Sequence, residues 1–176
     1  MRLSERLFSI VAFTIVAGIA WFLHPLSANA QEVTTVAGDG TKGFLDGTVT
    51  TARFKWPVGV VVQGDSLFVA DLLNSRIRKV IMTTQEVTTV AGDGTDDFLD
   101  GTGTSTRFKQ PPDVAVQGDS LFVADQHNSR IRKIILSTQE VTTVAGDGTK
   151  DFLDGTGTGA QVNRPGGVAV QGDSLF

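Results

Sequence analysis

The sequence predicts an all-β protein made of repeated four-stranded antiparallel sheets, and two observations lead to that prediction. The segment QEVTTVAGDGT occurs three times, beginning at Gln31, Gln85 and Gln139, so that the spacing is the same each time. Within each period, short runs rich in β-branched residues alternate with turn-forming residues, and no stretch after Ala30 has helical periodicity. A fixed period of this size is typical of repeat architectures.

The period divides the chain into four segments. Residues 1–30 precede the repeats, 31–84 and 85–138 are complete units, and 139–176 is a shorter third unit. The two complete units align without a gap and are identical at most of their positions. We therefore expect about two and two-thirds structural repeats, an incomplete array.

The second unit shows the predicted strands in order. Asp113–Gln117 is a β-rich run that ends at a Gly-Asp turn, and Ser120–Asp125 follows directly. Four loop residues lead to Arg130–Leu136, and a three-residue turn leads to Glu140–Ala145. By the same pattern, Glu32–Gly38 is expected to be the fourth strand of a preceding sheet. Each period thus predicts one antiparallel meander.

Apolar residues occur on both faces of each predicted sheet, so both faces need cover. Radial stacking of such sheets as the blades of a β-propeller provides it and leaves only short edges. A β-helix fits less well, because its coils are shorter and contain no reversing strands. The predicted fold class is therefore an all-β propeller, incomplete in this chain.

Residues 1–30 predict a signal peptide. Arg2 and Arg6 precede an uncharged run, Leu7–Leu23, and Ala28 and Ala30 form the small-x-small pattern of a cleavage site. Cleavage after Ala30 would coincide with the start of the repeats and give an exported protein, periplasmic, extracellular or on the cell surface. The alternative is an uncleaved membrane anchor, although the uncharged run is short for a bilayer span.

Composition narrows the function classes. The chain has no cysteine, which excludes disulfides, thiol catalysis and cysteine metal sites. Its net charge of −4 disfavours binding to nucleic acid. His127 is the only histidine of the repeat region, and tyrosine is absent, which leaves few groups for acid–base catalysis near neutral pH. No catalytic residue and no cofactor is predicted.

Several motifs resemble the NHL repeat. Val69–Val80 (VADLLNSRIRKV) and Val123–Ile134 (VADQHNSRIRKI) are similar to the core of that repeat, and Arg53–Val60 (RFKWPVGV) is similar to its entry strand. The resemblance covers the whole repeat region and implies a β-propeller, commonly of six blades. Asp113 in place of glycine and Val162 in place of phenylalanine depart from the family pattern, and the third unit lacks the Asp-x-x-Asn-x-Arg turn.

The Asp-x-x-Asn-x-Arg turn is interpreted mainly as structural. The acidic and basic residues are expected to face each other across a hairpin as opposite-charge pairs. These structural turn pairs are Asp71 with Arg76 and Asp125 with Arg130. Asn74 and Asn128 suit turn positions because their side chains bond to nearby backbone. Ligand contact by the same residues is the alternative.

A long connection rich in Asp, Gly and Thr precedes each first strand. Its carboxylates raise the question of calcium, but the segment lacks the alternating ligand series and the terminal glutamate of a calcium loop. No metal site is therefore predicted. Phe44, Phe98 and Phe152 are expected to pin this connection onto the sheet.

Strand direction predicts where a partner would bind. Connections after the second and fourth strands emerge on the same face, so the Asp-x-x-Asn turn and the long connection should cluster there. Leu72-Leu73 and Gln126-His127 are the only differences within that turn, which fits a tuned surface or drift after duplication. The predicted partner-binding residues are Leu72, Leu73, Asn74, Gln126, His127, Asn128, Asp46, Asp100 and Asp154.

These observations favour an exported, non-enzymatic scaffold that binds a protein or a glycan. A membrane would be a partner only if the N-terminal segment stays uncleaved. The resemblance also implies an alternative, a propeller enzyme of lactonase or lyase type with a metal on the central axis. A third interpretation is a fragment of a longer propeller, whose open blade edges would promote self-association.

Overall fold

The computed structural model describes residues 33–176, so the predicted signal peptide lies outside the described residues. This part of the chain contains β-strands and short 3₁₀ helices and no α-helix. The strands are β1 (Gly47–Thr48), β2 (Pro57–Gln63), β3 (Ser66–Asp71), β4 (Arg76–Ile81), β5 (Glu86–Ala91), β6 (Gly101–Thr102), β7 (Asp113–Gln117), β8 (Ser120–Asp125), β9 (Arg130–Ile135), β10 (Glu140–Ala145), β11 (Val170–Gln171) and β12 (Ser174–Leu175). The 3₁₀ helices are Leu72–Asn74, Gly103–Ser105, Gln126–Asn128 and Gly157–Gly159.

The strands form antiparallel meanders, as the sequence predicts. One sheet has the order β1-β5-β4-β3-β2, the next has β6-β10-β9-β8-β7, and β11 pairs with β12 in a third. We call β2–β5 blade one, β7–β10 blade two and the β11–β12 hairpin blade three. The all-β fold class, a partial β-propeller, is confirmed.

Each complete sheet carries a fifth strand that the sequence did not predict. The long connection pairs Gly47 with Val87 and Thr48 with Glu86, and so places β1 on the outer edge of β5. In the second sheet β6 covers β10 in the same way. The long connections therefore shield the outer edges of both blades, where unpaired backbone groups would otherwise face solvent.

The predicted strand at Glu32–Gly38 is not seen in its described part. From Val33 to Gly38 only Thr35 makes an isolated bridge, whereas the same sequence at Glu86–Ala91 forms β5. The physical difference is the neighbour, because β4 supplies β5 with a full ladder of backbone hydrogen bonds. Among residues 33–176 no strand pairs with Val33–Gly38 along its length, so this β-rich sequence does not form a strand there.

The inner strands of successive blades pack closely. A β-carbon built on Gly59 would lie 2.6 Å from the Cα of Asp113, so glycine permits the approach of β2 to β7. A side-chain hydrogen bond spans the same junction, from Gln63 Nε2 to the Gly118 carbonyl oxygen at 2.8 Å. The next junction repeats it between Gln117 and Gly172 at 2.9 Å.

Two apolar clusters hold blades one and two. Phe68 and Ile77 of blade one share a core with Phe108, Val114 and Leu121 from the second repeat, which joins the two blades. On its other face, blade one is covered by the long connection before it, in a cluster that includes Ala37, Ala52, Phe54, Leu67 and Val80. Burial of these side chains is the main source of stability in a chain without disulfides.

Candidate binding face

The Asp-x-x-Asn-x-Arg turn is built around a buried carboxylate. Asp71 is fully buried and accepts hydrogen bonds from the Lys55 N–H at 2.7 Å, from Asn74 Nδ2 at 2.7 Å and from Arg78 Nη1 at 2.9 Å. Ser75 then adopts a left-handed φ of 49°, which ends the 3₁₀ turn and starts β4. Asp125 occupies the equivalent place in blade two.

The structure corrects the predicted turn pairs. Asp71 does lie opposite Arg76 in register, and Asp125 opposite Arg130. The salt bridges, however, are made two residues further along, by Arg78 to Asp71 and by the equivalent pair in blade two, both at 2.9 Å. The guanidinium of Arg76 instead donates to the carbonyl oxygens of Asn74 and Asp93.

Phenylalanine rings pin the long connections, as the sequence analysis expected for Phe44 and Phe98. The guanidinium of Arg76 lies 3.8 Å from the centroid of Phe44, and that of Arg130 lies 3.9 Å from the centroid of Phe98. Such cation–π contacts fasten the loop to the turn. Phe152, by contrast, is 76% exposed.

Two of the predicted partner-binding aspartates are engaged internally. Arg78 Nη2 donates to Asp46 Oδ1 at 2.7 Å, and Arg132 Nη2 donates to Asp100 Oδ1 at 2.5 Å. The carboxylates are therefore committed to the turn scaffold even though about two-fifths of each side chain is exposed. For Asp154, no described residue donates a hydrogen bond to its exposed carboxylate.

The two turn asparagines are also internal. Asn74 Nδ2 donates to the Gly43 carbonyl oxygen at 2.8 Å, and Asn128 Nδ2 donates to that of Asp97 at 2.9 Å. Each amide thus ties the turn to the long connection and brings both onto one face. Of the other predicted partner-binding residues, Leu73 and Asp154 are exposed, and Leu72, Gln126 and His127 are half-buried.

Ionisation on this face follows burial and hydrogen bonding. Burial raises the pKa of the Asp71 carboxyl above its ordinary value, and the bonds from Asn74 and Lys55 and the charge of Arg78 oppose it. Near the surface, the Arg53 guanidinium and the Thr41 N–H lower the pKa of Asp39.

Sequence reasoning missed a row of residues at the start of the first strands. Trp56, Gln110 and Arg164 have left-handed φ values of 58°, 52° and 49°, and each precedes a proline. This backbone is uncommon for a non-glycine residue, and residues before proline are normally extended. Aligning the three units position by position would have revealed the row, since one place holds an aromatic, an amide and a cationic side chain.

The row adjoins the variable turn residues. The Leu73 N–H donates to the Lys55 carbonyl oxygen at 3.0 Å, immediately before Trp56. The His127 N–H bonds at 3.1 Å to the residue before Gln110. We call the variable face the set Trp56, Leu72, Leu73, Gln110, Gln126, His127 and Arg164. Its side chains are apolar in the first unit, polar in the second and cationic in the third, whereas the backbone that carries them repeats from unit to unit.

Neither a metal centre nor a membrane span is found in the described residues. Across residues 33–176, no three His, Cys, Asp or Glu side chains lie where they could hold one ion. No helix in this same range is long and apolar enough to cross a bilayer. The absence of a cofactor stays a prediction.

Similar proteins agree with the motif and the fold. The chain is 31% identical over 147 residues to the protein SUPPRESSOR OF QUENCHING 1, chloroplastic, of Arabidopsis thaliana, a match that covers 76% of this chain. It is 32% identical over 107 residues to NHL repeat-containing protein 2 of Homo sapiens, covering 58% of this chain, and 33% identical over 105 residues, covering 57%, to the Bos taurus protein of that name. The chain belongs to the NHL-repeat β-propeller family. No family model matches it.

The NHL-repeat chain spans only 14–15% of the length of these relatives. Among solved structures, a Bacteroides thetaiotaomicron protein of unknown function has a TM-score of 0.65 at 22% identity, with 82% of this chain and 36% of that chain covered. An auxiliary nutrient binding protein from the same organism has a TM-score of 0.58 at 21% identity, with 81% and 36% covered. These likenesses show the fold of the NHL-repeat blades.

Proposed function

We propose that this NHL-repeat protein is an exported, non-enzymatic scaffold that binds a protein or glycan partner through its variable face. The observation that carries the proposal is the combination of a repeated scaffold with side chains that change chemistry from unit to unit. Loops on a rigid framework are where binding residues are usually found.

The strained backbone supports a presenting role for the row. A left-handed non-glycine residue costs about 1–3 kcal/mol and persists only where its surroundings fix it. Here the strain recurs at Trp56, Gln110 and Arg164 while the side chain itself changes. The tryptophan side chain is 53% exposed. A fixed backbone with an accessible, variable side chain is what a binding surface requires.

The chemistry of the face suits a polar ligand with some apolar surface. The first unit supplies an amphipathic tryptophan, the second unit supplies amide and imidazole groups, and Arg164 supplies a cation for a carboxylate. Two proteins of similar fold, from Bacteroides ovatus and Bacteroides thetaiotaomicron, are described as auxiliary nutrient binding proteins, which accords with a binding role.

Binding can be tested with the full chain on a glycan array and a peptide array. For a ligand found there, Trp56→Ala should weaken binding by about tenfold or more, as at an aromatic hot spot. Trp56→Phe should retain binding within about threefold because it keeps the ring. Lys133→Ala, on strand β9 in the middle of its sheet, is the matched control for Arg164→Ala. Equal loss in Arg164→Ala and Lys133→Ala would contradict the assignment of the face.

The enzyme alternative has its own test. A lactonase or lyase of propeller type needs a metal held by side chains from several blades. Purified protein should contain no stoichiometric zinc or calcium, and His127→Ala should leave any activity within about threefold of the parent. A tenfold loss of lactone hydrolysis or lyase activity in His127→Ala would support the enzyme instead.

Export rests on the N-terminal sequence. We expect N-terminal sequencing of the protein from the exported fraction to begin at Gln31, because cleavage follows Ala30. A membrane-extracted product that begins at Met1 would instead identify Leu7–Leu23 as an anchor.

A further inference from the structure

A groove lies between blades one and two, beside the turns that follow β2 and β9. These turns come after the first and third strands of their blades, whereas the variable face lies on the side of the connections after the second and fourth strands. The groove is therefore separate from the proposed partner-binding surface. Its volume of about 370 Å³ falls within the range of about 300–1,000 Å³ that small-molecule sites occupy.

The floor of the groove is apolar and belongs to the core that joins the two blades. Phe68 and Val90 of blade one border the groove and are buried, and Leu136 of blade two packs against the same core. Gln63 also borders it, and its hydrogen bond to the Gly118 carbonyl oxygen closes the end nearest the inner strands. This lining suits the hydrocarbon part of a small ligand.

Polar side chains cross the wall that blade one contributes. Register places Phe68 of β3 opposite Lys79 of β4, and Lys79 opposite Thr88 of β5, so the three side chains project from the same face of the sheet. Ser66 lies two residues before Phe68 and shares that face. Within residues 33–176, the Ser66 and Thr88 hydroxyls have no hydrogen-bond partner. The wall therefore combines one ammonium group with two available hydroxyls.

The Lys79 ammonium has no acidic partner in the described part of the chain. Its Nζ lies 5.9 Å from the centroid of the Phe68 ring, at the limit of a cation–π contact. Glu86, which lies on the same face of β5, accepts instead from the Thr84 hydroxyl at 3.3 Å. The three ammonium hydrogens are thus available to an acceptor in the groove.

Gln139 lies on the opposite wall, and its backbone is held on both sides. Its φ of 59° is left-handed, which is uncommon for a non-glycine residue. Its N–H donates to the Ile135 carbonyl oxygen at 2.7 Å, and its own carbonyl oxygen accepts from the Gly103 N–H at 2.8 Å. These bonds keep its side-chain amide at the border of the groove.

We propose that this groove binds a small carboxylate with an apolar body, and that the Lys79 ammonium pairs with the carboxylate. The Ser66 and Thr88 hydroxyls donate to the same group, and Phe68 and Leu136 contact the hydrocarbon part. One cation matches one negative charge, which favours a carboxylate over a dianionic phosphate. The apolar floor lowers the local dielectric and so strengthens the pairing. This second site does not depend on any partner of the variable face.

The test is a titration of the full chain, labelled with nitrogen-15, with benzoate and separately with benzamide, a neutral compound of nearly the same shape. Benzoate should produce saturable shifts of the amide signals of Ser66, Thr88, Leu136 and Gln139. Benzamide should bind about tenfold more weakly, because it has no charge to pair with Lys79. Shifts that do not saturate, or equal affinities for the two compounds, would overturn the proposal.

Side-chain variants locate the charge. Lys79→Met keeps an apolar stem and should weaken benzoate binding by about tenfold or more. Lys55→Met is the matched control, since Lys55 is exposed and lies outside the groove, and it should change the affinity less than about twofold. Equal losses in the two variants would show a diffuse charge effect and contradict the site.

A third variant keeps the proposal testable if Lys79→Met does not fold, which the amide spectrum of the free protein shows directly. Thr88 is exposed, so Thr88→Val removes one hydroxyl at little risk to the fold. It should weaken benzoate binding by about threefold, as expected for the loss of one hydrogen bond. Unchanged affinity in Thr88→Val would contradict the assigned contacts.

Discussion

Arg78 and Asp71 form a salt bridge of 2.9 Å between Nη1 and Oδ2 in which neither side chain is exposed. The same guanidinium donates to Asp46 and to the carbonyl oxygens of Leu45 and Arg53, so β4 is tied to the connection before blade one. A planar fork of donors suits this convergence, and lysine could not reproduce it. Arg78 therefore links the blade to the loops of the variable face.

Arg78→Met is expected to destabilise the protein by about 3–5 kcal/mol, because it leaves a buried carboxylate without its charge partner. Urea unfolding followed by tryptophan fluorescence measures the change. Arg53→Met is the matched control. Its salt bridge to Asp39 is on the surface, with 44% of the arginine side chain exposed, and should contribute about 1 kcal/mol or less. Equal losses in the two variants would contradict the structural role given to Arg78.

A natural difference between two junctions gives a second prediction. Ser75 Oγ donates to Asp96, whereas Ser129 Oγ is the only buried side-chain polar atom without a partner in residues 33–176. The position equivalent to Asp96 holds Lys150. Lys150→Asp should supply the missing acceptor and stabilise the protein by about 1 kcal/mol in urea unfolding. The reciprocal Asp96→Lys should destabilise it, and a change of the same sign in both variants would refute the pairing.

The surface aspartates predict a pH dependence. Arg53 and the Thr41 N–H lower the pKa of Asp39, whereas the Thr149 N–H and the uncharged Gln161 amide lower that of Asp147. A lowered folded-state pKa adds stability above the ordinary carboxyl pKa, and that stability is lost as pH falls through the folded value.

Salt separates the two causes. Raising the ionic strength should move the pKa of Asp39 upward, because ions screen its arginine, and should move that of Asp147 much less. Carbon-13 NMR titration of the carboxyl groups reads both values in one sample. Equal shifts would show that Arg53 contributes no charge effect.

The sequence predicted the strands closely because alternation and turn residues act locally. Three strands of blade two, β7, β8 and β10, begin and end where the pattern placed them, and β9 is one residue shorter. The short strands β1 and β6 gave no such pattern, since they form only by pairing with distant strands.

The charged partners of the turn were predicted less well. Register places Asp71 opposite Arg76, but the choice of Arg78 depends on the carbonyl oxygens of Arg53 and Leu45, which are distant in sequence and beyond the reach of local reasoning. The row that begins with Trp56 was missed for another reason. These residues are distinguished by a left-handed backbone angle, which the sequence does not indicate because a residue before proline is normally extended.

The sheets and the sequence units are out of phase, and this has a consequence for how such an array can grow. Each complete blade takes three strands from one unit and its fourth from the start of the next, as β5 begins at Glu86, just after the unit boundary. Inserting or deleting one whole unit therefore leaves every internal meander with four strands. The first strand of each unit completes the preceding blade, and the first strand of the next unit completes the blade of its own unit. In-frame duplication can lengthen the protein without a newly designed junction, and unequal recombination between near-identical units can change the number of blades in a single step.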